Sequence, residues 1–278
     1  MIRKNIVRLL LYIFIVSVIV SGVQVSAATA VPSSYDKWGT SALGPGFPST
    51  VVNYYKITKL CETKKENKKF TFTVISNEVK TNLYVTFPSI GGFRIFSDDS
   101  GYYEPDGIQK IRYKTETDGS IRMSARDGTT VIFEKSGETF SLKVFNSEEK
   151  QLFRITSDQI AFGYSRGKLA KIKFEMPLSE KESIYGTGER FNELEQVGKR
   201  LLMWNVDCGY HGAANAEFWC GYKNIPLLYS NRGYTLFYNS FYSASIDIGY
   251  TDSNKYTMDF GGPEFDIYFW TGRSEEHT

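Results

Sequence analysis

Histidine and cysteine are scarce in this chain of 278 residues. There are two histidines, His211 and His277, and three cysteines, Cys61, Cys208 and Cys220, with no Cys-x-x-Cys spacing. A structural zinc site needs four such ligands at short spacing, so the sequence argues against one, and no cofactor is expected. A strong charge of one sign is also missing, since 33 Lys and Arg face 31 Asp and Glu. A near-neutral chain has no cationic surface for a nucleic-acid backbone, and none is expected as a partner. The one basic run, Lys64-Lys65-Glu66-Asn67-Lys68-Lys69, lies between two β-rich segments and reads as a solvated hairpin end. Long amphipathic helical patterns are lacking as well. The nearest case, Asn192 to Lys199, is interrupted by Gly198.

Acidic residues are absent from residues 1–30, which carry Arg3, Lys4 and Arg8, an apolar run from Leu9 to Val20, and small residues ending at Ala28 and Ala30. This order predicts a signal peptide, and hence a secreted or cell-surface protein. A membrane anchor extended through Val25 is the alternative. Removing these residues leaves 248, with 30 basic against 31 acidic side chains. Export would permit a disulfide. Cys208 with Cys220 would close a modest loop, leaving Cys61 free or differently paired.

What the chain has in quantity is aromatic residues: 20 Phe, 19 Tyr and 4 Trp. Residues 31–50 are rich in Pro, Ser and Gly and read as an extended lead-in. Beyond them the apolar period is two, as in Phe70 to Val74, Leu83 to Phe87, Thr130 to Phe133, Thr139 to Val144 and Leu169 to Phe174. Turn-formers separate these runs, including Thr117-Asp118-Gly119, Asp127-Gly128 and Ser165-Arg166-Gly167. Asp127-Gly128 is the strongest hairpin signal. Many short antiparallel strands predict an all-β fold, a sandwich or a related closed sheet.

Residues 185–272 are denser in polar, aromatic and glycine residues. Tyr185-Gly186-Thr187-Gly188-Glu189-Arg190-Phe191 contains a G-x-G, but lacks the further glycine and following helix of a nucleotide loop. It reads as a tight glycine turn that positions the Glu189–Arg190 pair, or, in a purely structural role, as a buried or half-buried ion pair pinning a loop. Trp204-Asn205-Val206-Asp207 combines a flat apolar face with amide and carboxylate groups, the mixture a sugar pocket requires. The same residues also suit a core Trp beside an Asn/Asp turn. Tyr222-Lys223-Asn224-Ile225-Pro226 follows, then a turn at Asn231-Arg232-Gly233-Tyr234 and a strand from Phe265 to Trp270.

These motifs, in this order, resemble glycoside hydrolase family 31, and Gly91-Gly92-Phe93-Arg94-Ile95 resembles an earlier strand of that family. The resemblance implies a galactose-mutarotase-like β-sandwich over residues 51–272, followed in the family by a (β/α)8 barrel that this sequence does not contain. By its place in the W-N-x-D motif, Asp207 would contact sugar hydroxyls, with Trp204 and Asn205 supporting the loop or lining the pocket. The variable stretch between Cys208 and Cys220 would be a lid clipped by a disulfide.

Family 31 enzymes retain configuration with two barrel Asp residues, and such carboxyls stand about 5–5.5 Å apart. Both belong to the missing barrel, so no catalytic residue is assigned and the chain alone is expected to be inactive. The implied parent is an exported retaining α-glycosidase hydrolysing O-glycosyl bonds, foremost of α-glucosides, with α-linked oligosaccharides and its own barrel as partners. Alternatives are an α-xylosidase or α-glucosyltransferase of the same family, or a non-catalytic carbohydrate-binding β-sandwich. A free-standing mutarotase is disfavoured, because it would need a positioned acid and base that so few histidines do not supply. Residues 273–278 are either the lead into the barrel or a non-native tail.

Overall fold

A computed structural model describes residues 52–97, 107–190, 193–203, 205 and 223–271. Among them lie nineteen strands and no α-helix. In chain order these are β1 (Asn53–Lys56), β2 (Lys59–Lys65), β3 (Phe70–Ser76), β4 (Val79–Thr86), β5 (Phe93–Ser97), β6 (Arg112–Thr115) and β7 (Ile121–Ser124). Then follow β8 (Thr130–Ser136), β9 (Thr139–Phe145), β10 (Gln151–Thr156), β11 (Ile160–Ser165), β12 (Lys168–Pro177) and β13 (Ile184–Glu189). The last six are β14 (Lys199–Met203), β15 (Lys223–Ser230), β16 (Tyr234–Tyr238), β17 (Ala244–Ile248), β18 (Lys255–Phe260) and β19 (Asp266–Thr271).

They form three antiparallel sheets. The eight-stranded sheet runs β13-β15-β16-β19-β5-β4-β3-β2, the six-stranded β1-β11-β12-β18-β17-β14, and the five-stranded β10-β9-β8-β7-β6. Period-two patterning decides which side chains face the core. On β3, Phe70, Phe72 and Val74 are fully buried, and on β12 Ile172, Phe174 and Met176 point inward while Lys173 and Glu175 point out. Phe72 meets Phe133 of β8 and Phe140 of β9, with ring centroids 5.4 and 4.8 Å apart. Phe174 meets Phe269 of β19 edge-on at 6.4 Å. The eight-stranded sheet therefore packs one face against both smaller sheets, the β-sandwich that the alternating pattern predicts.

The hairpins follow from their turn residues. Arg166 and Gly167 both take positive φ between β11 and β12, the two-residue turn whose twist matches the strands. Asp127 receives the amide of Thr129 at 2.9 Å within the β7–β8 turn, and its other oxygen receives Gly92 N–H at 3.0 Å. The basic run does form a hairpin end, with Glu66 N–H donating to Lys69 O at 2.9 Å.

Two polar clusters are sealed inside. Arg94 of β5 and Asp266 of β19 form a two-pronged ion pair, Nε to Oδ1 at 2.6 Å and Nη2 to Oδ2 at 2.7 Å, with side chains 2% and 0% exposed. Asn239 adds a side-chain donor to Asp266 Oδ2 at 2.7 Å and a backbone donor to Asp266 O at 2.9 Å. In the second cluster Glu182 accepts the hydroxyls of Ser230 and Tyr234, and the Tyr234 and Tyr256 hydroxyls lie 3.1 Å apart.

Burial raises the phenols of Tyr234, Tyr238 and Tyr256 above the ordinary tyrosine value of 10.0. Folded values above the unfolded value mean that the unfolded chain releases these protons first. The stability they contribute is complete below pH 10.0 and is lost as pH rises through their folded values. The expected result is alkaline unfolding in which tyrosinate absorbance and loss of near-ultraviolet circular dichroism rise together, with Tyr256→Phe moving the midpoint upward. Tyrosinate forming in full while the dichroism persists would contradict it.

Candidate functional site

Residues 184–190 are where sequence reading and structure part. Tyr185 to Glu189 belong to β13, which pairs with β15, so the expected glycine turn is instead a strand with a register shift between Gly186 and Gly188. The residue at the shift is Thr187, fully buried with φ of 73°. A β-branched residue in the left-handed region is strained, and such strain persists only where surroundings hold it. A side chain at Gly188 would collide with the backbone carbonyl of Lys223, so glycine here lets β13 and β15 approach.

The bulge turns the two neighbouring charges in different directions. Glu189 pairs with Lys223 at 3.0 Å, both well exposed, a contact worth little. Arg190 turns inward. Its Nε donates to Thr187 Oγ1 at 3.1 Å, and its Nη2 reaches Leu202 O at 2.9 Å, Met203 Sδ at 3.0 Å and the side-chain carbonyl of Asn224. One guanidinium thus joins the bulge, the end of β14 and the start of β15. The loop pair expected at Glu189 and Arg190 is replaced by two separate contacts.

Asn205 completes this corner. Its Oδ1 accepts the backbone N–H of Asn224 at 2.6 Å and the Asn224 Nδ2 at 3.0 Å. Of the other site residues expected from sequence, Trp204, Asp207, Cys208 and Cys220 lie outside the described residues, whereas Cys61 is a half-buried free thiol. The described residues that flank the stretch 206–222, Met203 with Asn205 before it and Lys223 with Asn224 after it, are tied together by Asn205 and Arg190.

Beside this corner is a cavity of about 460 Å³. Among the described residues, its floor and walls are Met203, Ile225, Pro226, Phe237 and Phe260, and its polar groups are Asn205, Asn224, Asn239, Ser240 and Ser243. Phe241 and Tyr242 stand on it with exposures of 80% and 39%. Sequence reading missed the Asn239 to Ser243 part. The available signal was a polar and aromatic run between two strands, Asn239-Ser240-Phe241-Tyr242-Ser243, too rich in rings for a solvated turn. Among the described residues no cluster of three or more His, Cys, Asp or Glu is placed to hold a metal ion.

The sandwich has counterparts in known proteins. Residues 59–247 match the glycosyl hydrolase 31 N-terminal galactose mutarotase-like domain, and the chain belongs to that family. An alpha-glucosidase 2 of Bacillus thermoamyloliquefaciens is 22% identical over 212 residues, covering 73% of this chain and 25% of that protein. An alpha-xylosidase of Emericella nidulans is 30% identical over 100 residues, 36% of this chain and 12% of that protein. The crystallised cycloalternan-forming enzyme from Listeria monocytogenes, in complex with a pentasaccharide substrate, superimposes with a TM-score of 0.68 at 14% identity. That match covers 81% of this chain and 22% of that one, and at such identity it shows the fold. The chain thus spans 12% and 25% of the length of the two curated relatives named.

Replacing Arg190 with Lys keeps the charge but removes the fork that reaches three elements at once. The expected outcome is a loss of about 1–3 kcal/mol in urea unfolding, the magnitude for unpairing buried acceptors. Faster amide exchange at Leu202, Met203 and Asn224 should accompany it. Unchanged exchange there would remove Arg190 from this role.

Proposed function

We propose that this chain is the substrate-facing, non-catalytic N-terminal part of an exported retaining α-glycosidase that hydrolyses O-glycosyl bonds of α-glucosides. The observation that carries the proposal is the tying together, by Arg190, Asn205 and Asn224, of the described residues on either side of the stretch 206–222, which contains Asp207. A carboxylate reading sugar hydroxyls needs its loop held at a fixed height over the substrate, and a fork of charged and amide hydrogen bonds at the loop base supplies that. In this role Asp207 accepts hydrogen bonds from the hydroxyls of an α-linked glucosyl unit, and Trp204 offers its ring to the sugar's C–H face. Bond cleavage belongs to a pair of carboxylates on a (β/α)8 barrel of the same polypeptide, so this chain contributes affinity and orientation rather than the reacting groups. The product is secreted or held at the cell surface, in line with the character of residues 1–30.

An α-xylosidase is the second reading, favoured by the relative of that name. The two differ in the substituent at the sugar's C5, where a glucoside carries a hydroxymethyl group that a xyloside lacks. Hydrolysis of nitrophenyl α-glucoside and α-xyloside by the barrel-containing parent separates them and also tests Asp207. The parent should prefer the glucoside. Asp207→Asn should lower kcat/KM about 10- to 100-fold, the weight of a hydrogen bond to a charged group. The chain without a barrel should turn over neither. Kinetics unaltered by Asp207→Asn would overturn the assignment of that residue.

A further inference from the structure

We propose that Thr187 is a positioning residue, kept in a strained backbone conformation because its hydroxyl aims Arg190 at the residues flanking the stretch 206–222. This role rests on the reading of Asp207, within that stretch, as a sugar contact, and adds a residue which that reading does not contain. Three consecutive residues of β13 have positive φ: Gly186 at 109°, Thr187 at 73° and Gly188 at 89°. Space requires the two glycines. A Cβ at Gly186 would collide with the carbonyl oxygen of Leu227, and one at Gly188 with that of Lys223. Both obstacles are backbone, so β15 comes this near to β13 only where side chains are missing.

Position 187 is different. The pairing steps from Gly186 opposite Leu228 to Gly188 opposite Asn224, so Ile225, Pro226 and Leu227 of β15 span the gap across from Thr187. Glycine would adopt this left-handed conformation without penalty, whereas a β-branched residue is among the least suited to it. Threonine nonetheless stands there, fully buried. What it supplies beyond glycine or valine is Oγ1, and that atom accepts Arg190 Nε–H at 3.1 Å.

The effect on Arg190 follows from the geometry of its head group. A guanidinium is planar, so fixing the direction of Nε–H fixes the plane and the line along which Nη2 points. Nη2 meets Leu202 O at 2.9 Å, Met203 Sδ at 3.0 Å and the side-chain carbonyl of Asn224. Leu202 and Met203 precede the stretch 206–222 and Asn224 follows it. One hydroxyl thereby sets the angle at which the two sides are joined. Backbone strain persists where the surroundings over-determine it and a function uses it, and Oγ1 is that use here.

The test is a pair of opposite substitutions. Thr187→Val keeps the shape and the β-branched strain but removes the hydroxyl, whereas Thr187→Ser keeps the hydroxyl and removes the methyl group. In the 278-residue chain, Thr187→Val should speed solvent exchange of the Arg190 Nε–H proton about tenfold by nuclear magnetic resonance. Thr187→Ser should leave that exchange within about twofold. In the barrel-containing parent, Thr187→Val should lower kcat/KM for nitrophenyl α-glucoside about tenfold, the lower end for a hydrogen bond to a charged group, and Thr187→Ser should not. Added to Asp207→Asn, Thr187→Val should cost little more, because both act through one stretch of chain. Equal losses with Val and Ser, or a loss with Ser alone, would make Thr187 a packing residue and overturn the proposal. Normal kinetics of Thr187→Val beside an impaired Asp207→Asn parent, or fully additive losses, would also overturn it. Unaltered kinetics of Asp207→Asn would sink the sugar reading of Asp207 instead, and Arg190 Nε–H exchange would still decide whether Thr187 aims the guanidinium.

Discussion

The ion pair between Arg94 and Asp266 is the constraint on which the rest of the sandwich is arranged. These residues are 172 apart in sequence, and neither charge touches water. A lone charge in that position would cost several kcal/mol, so the pair holds only if the geometry is complete. Two parallel hydrogen bonds supply the first part of it. The rest comes from Asn239 on the carboxylate and from the Phe96 and Tyr268 rings, 4.0 and 5.1 Å from the guanidinium carbon. Breaking such a pair by removing one partner costs about 3–5 kcal/mol. Because β5 and β19 are adjacent in the eight-stranded sheet, the pair also specifies their register.

What the pair does for the site follows from Asn239. This residue closes β16 and opens the turn that carries Phe241 and Tyr242, so the buried carboxylate sets where those rings stand. On the opposite side of the cavity Arg190 performs the matching task, binding the bulge at Thr187 to the ends of β14 and β15. The cavity is therefore held between two arginine-organised corners, one sealed within the sheet and one at its edge. The strained backbone of Thr187 belongs to the second corner, and its hydroxyl accepts from Arg190. Rigid supports of this kind hold the amides and rings beside the cavity in place without reorganisation.

Most of the fold was legible from alternation and turn chemistry. Phe70 to Val74, Thr130 to Phe133 and Leu169 to Phe174 lie inside β3, β8 and β12, and Asp127-Gly128 and Arg166-Gly167 lie in turns between adjacent strands. Two features escaped for identifiable reasons. Asn77 and Glu78 turn β3 into β4 with positive φ and no glycine, so the usual marker was missing. Gly186 and Gly188 gave the opposite error, since glycines that suggest a turn serve a bulge in β13 and a close approach to β15. At the site, the sequence pointed to the segment containing Asn205 but not to its partners. Asn224 and Arg190 reach it through pairing of β13 with β15, which no local pattern in the sequence reveals. The Asn239 to Ser243 turn joined the cavity only because Asp266, far along the chain, anchors its first residue.

The buried pair, acting through Asn239, fixes the turn that lines the cavity. Native-state amide hydrogen exchange in Arg94→Met, compared with the parent chain, measures this directly. Protection should fall together in β5, in β19 and across residues 239–243, because all three share the uncompensated Asp266. Loss of protection in β5 and β19 with residues 239–243 unchanged would contradict it, and would separate the ion pair from the site.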